Sequence, residues 1–379
     1  MRYYIIAGEA SGDLHAANLV KEIQALDPHA ELRGIGGDGM RLAGVDLVRH
    51  YRDTAYMGFL EVLLHLRKIL AHIRFCKNDI AQWKPDVLIL VDYPGFNLRI
   101  APFAHDLGIQ VSYYISPQLW AWKSSRVEII KKYVHQLLVI LPFEEKFYAQ
   151  YQYPVTFVGH PLLDAIHQFK PDETFLQTHQ LNNQKYIAIL PGSRKQEIRV
   201  KLPIMLSVID AFPEYAFVVA CAPGLDPEFY KQFSGNHRVQ YIQGATYQIL
   251  QHAHAALVTS GTATLETALF RVPQIVCYKG SAISYHIAKR LVHIKYISLV
   301  NLIADKEVVP ELIQHALTRD NLISHMQQLM QASDERKTML QEYNLLAQHL
   351  GGPGASKRAA QEIIAFKEKK RSSGFTITN

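Results

Sequence analysis

The sequence predicts an α/β protein with two doubly wound, Rossmann-like domains built on parallel sheets, followed by a C-terminal helical segment. Short apolar runs of strand length alternate with amphipathic stretches along most of the 379 residues. This alternation is typical of a parallel sheet whose two faces are covered by helices. A polar stretch at residues 168–185 interrupts the pattern, and the apolar runs that resume beyond it predict a second domain.

Eleven apolar runs have the length and composition of buried strands. The predicted strands of the first half are Tyr3–Ala7, Ala30–Ile35, Asp86–Asp92, Val111–Ile115, Gln136–Leu141 and Val155–Val158. Those of the second half are Tyr186–Leu190, Ala216–Ala222, Val239–Ile242, Ala255–Thr259 and Gln274–Cys277. Helices are expected between them, for example at Leu14–Leu26 and Leu98–Leu107.

The end of the chain is predicted to be helical. Helices are expected from Glu311 onward, and Gly351–Gly354 is a hinge before a last helix at Ser356–Phe366. We therefore expect an N-terminal domain at residues 1–167, a second domain at residues 168–345 and a C-terminal segment at residues 346–379.

The composition is that of a globular protein, with 49% hydrophobic and 20% charged residues. The three cysteines, Cys76, Cys221 and Cys277, stand in apolar contexts, so buried free thiols in a reducing compartment are expected. We see no signal peptide and no run of about 18 apolar residues. The net charge of +6 favours anionic partners such as nucleotides, phosphorylated substrates or anionic lipid, and no nucleic-acid motif accompanies it.

The turn Gly8–Asp13 follows the first predicted strand, and Glu9 stands at the tip of that strand. Glycines let such a turn close tightly, and the first N–H groups of the following helix face whatever binds there. Because the carboxylate of Glu9 would repel a phosphate, the turn favours an uncharged or hydroxyl-bearing group. The alternative is an ordinary strand-to-helix turn with Asp13 near the helix start, and the hexapeptide alone does not decide between the two.

Asp92 ends the apolar run Val87–Val91 and precedes a Pro-Gly turn. A carboxylate at the carboxyl tip of a strand is well placed to act as a general base. Turn formation is the commoner role of Asp in this context, but a second acid on another strand tip, Glu9, favours catalysis. The sequence contains no Asp-x-Asp and no metal spacing of histidines with carboxylates, so a metal-dependent mechanism is disfavoured.

Two turns in the second half suit a diphosphate. In the first, Gly192 allows close backbone approach, and Ser193 and Arg194 can donate to phosphate oxygens; a surface loop with a solvated arginine is the alternative. The second, Ser260–Glu266, places hydroxyls and a glycine at a helix start. Glu266 could cap this helix, so a capping box without a ligand is the alternative there. The sequence has no Walker motif, because no Gly-Lys-Ser/Thr occurs in it.

Two further stretches are rich in aromatic or apolar residues. Trp120 and Trp122 follow a predicted strand, where they could form a wall for a sugar or an acyl chain or simply pack in the core. Met57–Leu66 has more apolar residues than one helical stripe needs, and basic residues follow it. Such a segment dips into a membrane interface or lines an acyl-chain groove. The alternative is a helix buried on two sides, which composition alone slightly favours.

Polar residues near the end of the second domain suit a nucleoside. Asn301 follows the run Tyr296–Val300, and Glu311 and Gln314 stand at a predicted helix start after Pro310. These side chains could bind a ribose or the edge of a base. For Glu311 the alternative is a carboxylate that favours the dipole of its own helix.

Taken together, the motifs resemble the lipid-A-disaccharide synthase family of GT-B glycosyltransferases. The resemblance rests on segments in the same order, namely Gly8–Asp13, Met57–Val62, Asp92–Asn97, Ser116–Trp122, Pro191–Arg194, Ser260–Glu266, Ser298–Leu302 and Glu311–Gln314. It implies two domains facing a cleft and an inverting, metal-independent transfer without a cofactor. The implied donor is UDP-2,3-diacylglucosamine, the acceptor is 2,3-diacylglucosamine 1-phosphate, and the products are a β-1,6-linked disaccharide and UDP.

The resemblance also implies roles for individual residues. Asp92 would be the base, Glu9 an essential acid on the acceptor side, and Arg194 a catalytic cation at the diphosphate or the sugar. UDP would contact Gly192, Ser193, Arg194, Ser260, Gly261, Thr262, Ala263, Thr264, Glu266, Asn301, Glu311 and Gln314. The acceptor and its acyl chains would contact Ser11, Met57, Phe59, Leu60, Leu63, Asn97, Trp120 and Trp122, which reverses the preference for a buried helix around Met57. Some members carry a second acid where this chain has Gly95, so a mechanism that needs two carboxylates is not expected.

Location and partners follow from the same resemblance. It implies a cytoplasmic protein at the inner membrane surface of a Gram-negative bacterium, with no nucleic-acid partner. The C-terminal segment either packs back on the N-terminal domain or is exchanged in a homodimer through the hinge Gly351–Gly354. The rival interpretations are another GT-B enzyme that uses UDP-GlcNAc, such as a peptidoglycan N-acetylglucosaminyltransferase or a 2-epimerase, and a non-catalytic UDP-sugar-binding module.

Overall fold

The computed structural model describes residues 1–53, 66–120, 124–182, 184–233, 239–280 and 295–374. The chain forms two compact units. Unit 1 comprises Met1–His167 together with Leu350–Asn379, and unit 2 comprises Gln168–His349. Each unit is an α/β domain around a parallel sheet, so the predicted fold class is confirmed.

Unit 1 contains a seven-stranded sheet. Its strands are β1 (Arg2–Ala7), β2 (Glu31–Gly36), β3 (Asp46–His50), β4 (Val87–Val91), β5 (Gln110–Tyr114), β6 (Gln136–Val139) and β7 (Thr156–Phe157). Their order across the sheet is β3-β2-β1-β4-β5-β6-β7. The helices up to residue 168 are α1 (Ala10–Leu26), α2 (Asp38–Leu42), α3 (Leu66–Trp83), α4 (Pro94–Asp106), α5 (Val127–Tyr133), α6 (Glu144–Ala149) and α7 (Leu162–Gln168).

Unit 2 contains a six-stranded sheet. Its strands are β8 (Tyr186–Leu190), β9 (Ala216–Cys221), β10 (Val239–Gln243), β11 (Ala255–Thr259), β12 (Gln274–Tyr278) and β13 (Glu311–Ile313). Their order is β10-β9-β8-β11-β12-β13. The helices are α8 (Phe175–Thr178), α9 (Lys195–Leu206), α10 (Pro227–Lys231), α11 (Thr246–His252), α12 (Thr262–Leu269), α13 (Leu299–Ala304), α14 (Arg319–Met330) and α15 (Asp334–His349).

The central strand of unit 1 explains why its sequence is a continuous apolar run. Side chains of β1 alternate between two core clusters: Tyr3 and Ile5 pack in one, and Tyr4 and Ile6 pack in the other. A parallel strand that is buried on both faces has no solvent side for polar residues. The carboxyl end of the strand is then the first place where this segment can present a polar group.

Each sheet has a switch point where the strand order reverses, which opens a crevice at the carboxyl ends of the strands. In unit 1 the switch lies between β1 and β4, and Ala7 pairs with Val91. In unit 2 it lies between β8 and β11, and Leu190 pairs with Val258. The residues that follow these pairs therefore emerge side by side.

The last helix, α16 (Ala355–Gly374), belongs to unit 1 and packs against α1. Ala359, Ala360 and Ile363 are fully buried in the cluster that also contains Ala16 of α1. Small side chains on both helices let the two backbones approach closely. Apolar burial therefore holds the end of the chain on the first domain.

A carboxylate caps the start of α16. Asp164 of α7 accepts hydrogen bonds from three consecutive backbone N–H groups, those of residues 354–356, at 2.5, 3.2 and 2.8 Å. These N–H groups belong to a helix N-terminus and have no partner within the helix. The contact joins residues that are about 190 positions apart in the chain.

The predicted strands all exist, with ends that differ by at most two residues, but two other strands were not predicted. These are β3 and β13. The predicted helix start after Pro310 is wrong, because Glu311–Ile313 is a strand that pairs with Val276–Tyr278. Pairing at a sheet edge outweighs the helical propensity of so short a segment.

Two smaller predictions can also be compared with the structure. The polar stretch at residues 168–185 is not a plain linker, because it contains α8 and buries Phe175 and Leu181 in the core of unit 2. The three cysteines are free and buried, as predicted.

Candidate functional site

Glu9 and Asp92 stand at neighbouring strand tips in unit 1. Ala7 pairs with Val91, so the two acids follow the paired ends of β1 and β4. Burial, and secondarily the negative charge of Glu9, raise the pKa of Asp92 to about 6. Glu9 is the residue before α1, with an extended backbone, and its carbonyl accepts from the N–H of Asp13 at 2.9 Å. The structure thus brings the two predicted acids together and raises the pKa of one of them toward neutrality.

The backbone of Asp92 is held in an unusual conformation. Asp92 and Tyr93 have φ angles of +46° and +48°, in the left-handed region that side chains other than glycine rarely adopt. Two buried groups fix this turn by donating to the carbonyl of Asp92: the amide of Asn97 at 2.7 Å and the hydroxyl of Tyr113 at 2.5 Å. Strained conformations of this kind persist where the surroundings over-determine them, often at functional sites.

Asn97 therefore has a different position from the one predicted. It was expected to contact the acceptor, but its side chain is fully buried and its amide donates to the carbonyls of Val91 and Asp92. A side chain closed off from solvent in this way orients the turn that carries Asp92. The reason for the error is that Asn is common both in ligand contacts and in turn stabilisation.

The first glycine of the N-terminal turn has a packing role. A Cβ at Gly8 would collide with the ring of Tyr93, which in turn stacks on Phe96 with ring centroids 5.7 Å apart. Gly8 is thus required by the close approach of an aromatic ring.

Asp13 stands in the first turn of α1, near the helix start, and its carboxylate has a structural role at a different helix. Its carboxylate accepts from the N–H groups of Gly37, Gly39 and Met40 at 2.6, 2.9 and 3.1 Å and so fixes the start of α2. Ser11, by contrast, is exposed in the first turn of α1, where its hydroxyl is accessible to a ligand.

A buried acid that sequence reasoning missed lies at the ends of β5 and β6. Glu144 is 1% exposed and accepts from the N–H groups of Ile140 and Leu141 at 3.1 and 2.9 Å. Burial raises its pKa to about 7. Nearby, the hydroxyls of Ser116 and Tyr148 are 2.7 Å apart. The only signal in the sequence was an acid soon after a buried strand.

The aromatic residues of the predicted acceptor side are described in part. Trp120 is half-buried and packs edge-to-face on Phe143, with centroids 4.9 Å apart. The predicted contacts Met57, Phe59, Leu60, Leu63 and Trp122 lie outside the described residues.

In unit 2, the turn after β8 presents the predicted Gly-Ser-Arg. Gly192 has a φ of +110°, and Ser193 and Arg194 are exposed. Arg194 precedes α9, and its guanidinium donates to Glu197 at 3.4 Å. The turn therefore offers a hydroxyl and a cation at a helix N-terminus, which suits an anion.

A buried lysine under this turn was not predicted. Lys201 is 2% exposed, and its ammonium donates to the hydroxyl of Thr259 at the end of β11 and to Glu197 at 3.4 Å. Burial lowers its pKa. In the sequence, Glu197 and Lys201 are four residues apart on a helix, a spacing typical of an ordinary surface ion pair.

The second predicted diphosphate turn follows β11. Gly261 has a φ of +141°, and within the described part of the chain nothing beyond its chain neighbours and its own helix backbone lies within 4 Å of where its Cβ would be. Gly261 and Thr262 are exposed, and Ala263 is partly so, so the start of α12 is open to a ligand. The hydroxyl of Ser260 donates to the carbonyl of Ile297 at 2.8 Å.

Glu266 does not cap this helix, contrary to the prediction. Its carboxylate accepts from the hydroxyl of Tyr247 at 3.4 Å, and burial raises its pKa. The buried hydroxyl of Thr264 bonds the carbonyl of Gly261 at 2.8 Å. Glu266 is the fifth residue of α12, so its side chain lies along the side of the helix, too far from the N-cap residue to complete a capping box.

Asn301 and Glu311 form a buried polar network. The amide nitrogen of Asn301 donates to Val309 and to Glu311, both at 2.9 Å, and its oxygen accepts from Val308 and Val309. The hydrogen-bonding capacity of Asn301 is thus used within the protein. The prediction that it contacts the nucleotide has no support in this geometry.

Glu311 stabilises a helix dipole, but not that of its own segment. Its carboxylate accepts from the N–H of Ile297 at 2.9 Å and from the N–H and hydroxyl of Ser298 at 3.0 and 2.7 Å. These groups lie at the N-terminus of α13. Gln314 is 8% exposed, and its amide nitrogen is buried without a hydrogen-bond partner within the described protein.

The described residues hold neither a metal-binding cluster nor a membrane-spanning helix. Within those ranges no group of three or more His, Cys, Asp and Glu side chains is arranged to hold a metal ion. Within the same ranges no helix is both long and apolar enough to cross a membrane.

Comparison with known proteins gives consistent similarities in sequence and in fold. A family model described as lipid-A-disaccharide synthetase matches residues 3–365. A lipid-A-disaccharide synthase of Syntrophus aciditrophicus is 43% identical over 373 residues, covering 96% of this chain and 97% of that protein. Lipid-A-disaccharide synthase 1 of Legionella pneumophila (strain Philadelphia 1) is 37% identical over 377 residues, covering 97% and 98%.

Among solved structures, the similarity is in fold. The UDP-GlcNAc 2-epimerase of Neisseria meningitidis bound to UDP-GlcNAc superposes with a TM-score of 0.67 at 14% identity, covering 97% of this chain and all of that one. A glycotransferase of kitacinnamycin gives a TM-score of 0.66 at 13% identity, covering 97% and 98%. The architecture is therefore that of GT-B proteins.

Proposed function

The chain belongs to the lipid-A-disaccharide synthase family of glycosyltransferases, and from this premise we propose its substrates, mechanism and location. The donor is UDP-2,3-diacylglucosamine, and the acceptor is 2,3-diacylglucosamine 1-phosphate. The 6-hydroxyl of the acceptor displaces UDP to give a β-1,6-linked disaccharide.

The observation that carries the proposed mechanism is the position of Asp92. Its carboxylate stands at a strand tip beside Glu9, with a pKa raised to about 6 by burial and by that neighbour. Such a group is largely ionised at neutral pH yet basic enough to accept a proton from a hydroxyl as it attacks. Asp92 takes the proton of the 6-hydroxyl, the oxygen bonds to the anomeric carbon, and the bond from that carbon to UDP breaks with inversion.

Glu9 and Gly95 are the other two positions that bear on the proposed acceptor site in unit 1. Glu9 raises the basicity of Asp92 and is placed to accept hydrogen bonds from sugar hydroxyls. Gly95 is exposed and carries no carboxylate, so the proposed mechanism uses one base. A single displacement with inversion does not need a second base.

The proposed UDP-binding residues belong to unit 2. The open start of α12 at Gly261 and Thr262, together with Ser193 and Arg194, would bind the diphosphate. These groups stabilise the negative charge that develops on the leaving UDP, so the proposed reaction requires no metal. The unpartnered amide of Gln314 is the donor that we assign to the nucleoside.

Membrane association and dimerisation belong to the same proposal. Both substrates carry acyl chains, and we assign their contact with the cytoplasmic face of the inner membrane to the apolar segment Met57–Leu66. A homodimer would exchange α16 through the hinge Gly351–Gly354. Such an exchange would keep the contacts of α16 with α1 and place them between two copies.

The experiment that tests the proposed function is a product assay with the purified full-length chain. The two diacylated substrates are mixed in detergent micelles, and disaccharide and UDP are measured together. Equal amounts of the two products are expected, with and without EDTA. Turnover of UDP-GlcNAc without disaccharide formation would instead favour a 2-epimerase or another UDP-GlcNAc enzyme, and UDP-sugar binding without turnover would favour a binding module.

A further inference from the structure

Lys201 is a buried cation next to the turn that presents Ser193 and Arg194. Its ammonium contacts Thr259 at the end of β11, one residue before the second turn of the proposed UDP site. A Cβ at Gly192 would lie 3.7 Å from this ammonium. Lys201 thus lies directly beneath both turns that are proposed to bind the diphosphate.

Glu197 is the counter-charge of this cation. One carboxylate oxygen accepts from Lys201 and the other from Arg194, both at 3.4 Å. The first of these oxygens is also 2.9 Å from where a Cβ of Gly192 would be. The negative charge of Glu197 therefore faces the same turn that is proposed to bind an anionic ligand.

An ion pair of this kind is not explained by stability. Taking an ammonium out of water is unfavourable, and an apolar side chain of similar volume commonly serves a folded protein as well or better. The pair is also asymmetric, because the side chain of Lys201 is 3% exposed whereas that of Glu197 is 37% exposed. Water screens the charge of Glu197 more than that of Lys201, so the two charges do not cancel at the turn.

We propose that the charge of Lys201 raises the electrostatic potential at the diphosphate part of the nucleotide site. The charge of Glu197 lowers that potential and repels the bound diphosphate. This inference rests on the proposed function, because it assigns the anion to the diphosphate of UDP. The lysine acts through space from beneath the turn, as a positioning charge. It favours a diphosphate over the same nucleoside without phosphate.

The test compares the binding of UDP and of uridine to the full-length chain by calorimetry. Lys201→Met keeps the volume of the side chain and removes its charge, and about tenfold weaker UDP binding with unchanged uridine binding is expected. Glu197→Gln removes the opposing charge and should strengthen UDP binding by about threefold to tenfold. The double variant should return close to the wild-type affinity.

The matched controls are Lys231→Met and Glu228→Gln. They alter an ion pair of the same unit in which both side chains are more than half exposed, and neither should change UDP binding. If Lys201 were only structural, Lys201→Met would lower the melting temperature while the affinity of the folded protein for UDP stayed the same, and Glu197→Gln would not tighten binding. Either result overturns the inference. Failure of the wild-type chain to bind UDP would count against the proposed function itself.

Discussion

The side-chain amide of Asn97 donates to the main-chain carbonyl of Asp92 at 2.7 Å. This bond fixes a turn in which Asp92 has a φ of +46°. The carboxylate that we propose as base is therefore aimed by a residue that is itself fully buried. The proposed catalytic geometry would therefore depend on the interior of the domain as well as on its surface.

Asn97→Ala should impair both stability and catalysis. The variant leaves the carbonyl of Asp92 with one of its two donors, and losing a buried hydrogen bond costs about 1–3 kcal/mol of the free energy of unfolding. We expect kcat to fall about tenfold or more because the base is misaligned, with KM for UDP-sugar little changed. Steady-state kinetics and thermal melts measure the two effects. A stability loss with unchanged kcat would show that Asn97 does not orient Asp92.

Asp92→Asn should have opposite effects on activity and on stability. Loss of a general base lowers kcat by about 10²–10⁴-fold. The carboxylate has a pKa of about 6 in the folded chain, above its ordinary value, so its ionisation at pH 8 costs the folded state free energy that the unfolded chain does not lose. The rise of the pKa from 3.8 to about 6 corresponds to about 3 kcal/mol, at roughly 1.4 kcal/mol per unit, so the variant should be more stable than the wild type at pH 8 by up to that amount.

The same reasoning fixes the pH at which this gain disappears. Near pH 4 the carboxylate is protonated in the folded state and partly so in the unfolded state, so the difference between variant and wild type becomes small. Urea titrations at the two pH values measure it. Full turnover by Asp92→Asn with normal UDP binding would exclude Asp92 as the base.

Glu9→Gln should shift the pH profile of the reaction. If Asp92 is the base, the wild-type rate falls below a pH of about 6 and at pH 5 is about one tenth of its plateau. The charge of Glu9 contributes to the raised pKa of Asp92, so its removal lowers that pKa and moves the acid limb to lower pH. The plateau rate should fall as well, because a weaker base accepts the proton less readily. If the acid limb did not shift, the charge of Glu9 would have no influence on the group that limits the rate at low pH.

Residues at the strand tips could be predicted from the sequence, because a buried parallel strand is a continuous apolar run and its end is therefore visible. Glu9, Asp92 and the turn at Gly192 were found in this way. The roles of buried polar residues could not be predicted. Lys201 and Glu144 belong to charged segments that are typical of solvent-exposed helix faces, and only the tertiary structure shows that they are buried.

The segment Met57–Leu66 supplies a test of membrane association. Replacing Phe59, Leu60 and Leu63 together by Ser removes apolar side chains that are proposed to enter the interface, each contributing about 1–3 kcal/mol when buried. Sedimentation with vesicles containing anionic lipid should show a clear loss of binding, with activity on detergent-solubilised substrates retained. If vesicle binding were unchanged, the alternative of a helix buried on two sides would be favoured for this segment.

Asp164→Ala should release the C-terminal helix from unit 1. The carboxylate accepts from the three N–H groups of residues 354–356, and its loss leaves buried donors without a partner at a cost of about 1–3 kcal/mol. We expect faster hydrogen exchange in α16 and in the face of α1 that covers it, and a larger fraction of dimer at high protein concentration.

Asp172→Ala is the control for this variant. Asp172 also accepts from a backbone N–H at a helix start, that of Thr174, but it is exposed and lies in unit 2. Because this carboxylate is in water, its loss should change stability little, and exchange in α16 should not change. If Asp164→Ala left the exchange of α16 as slow as in the wild type, apolar packing of Ala359, Ala360 and Ile363 would be sufficient to hold the helix. The carboxylate would then serve only to cap it.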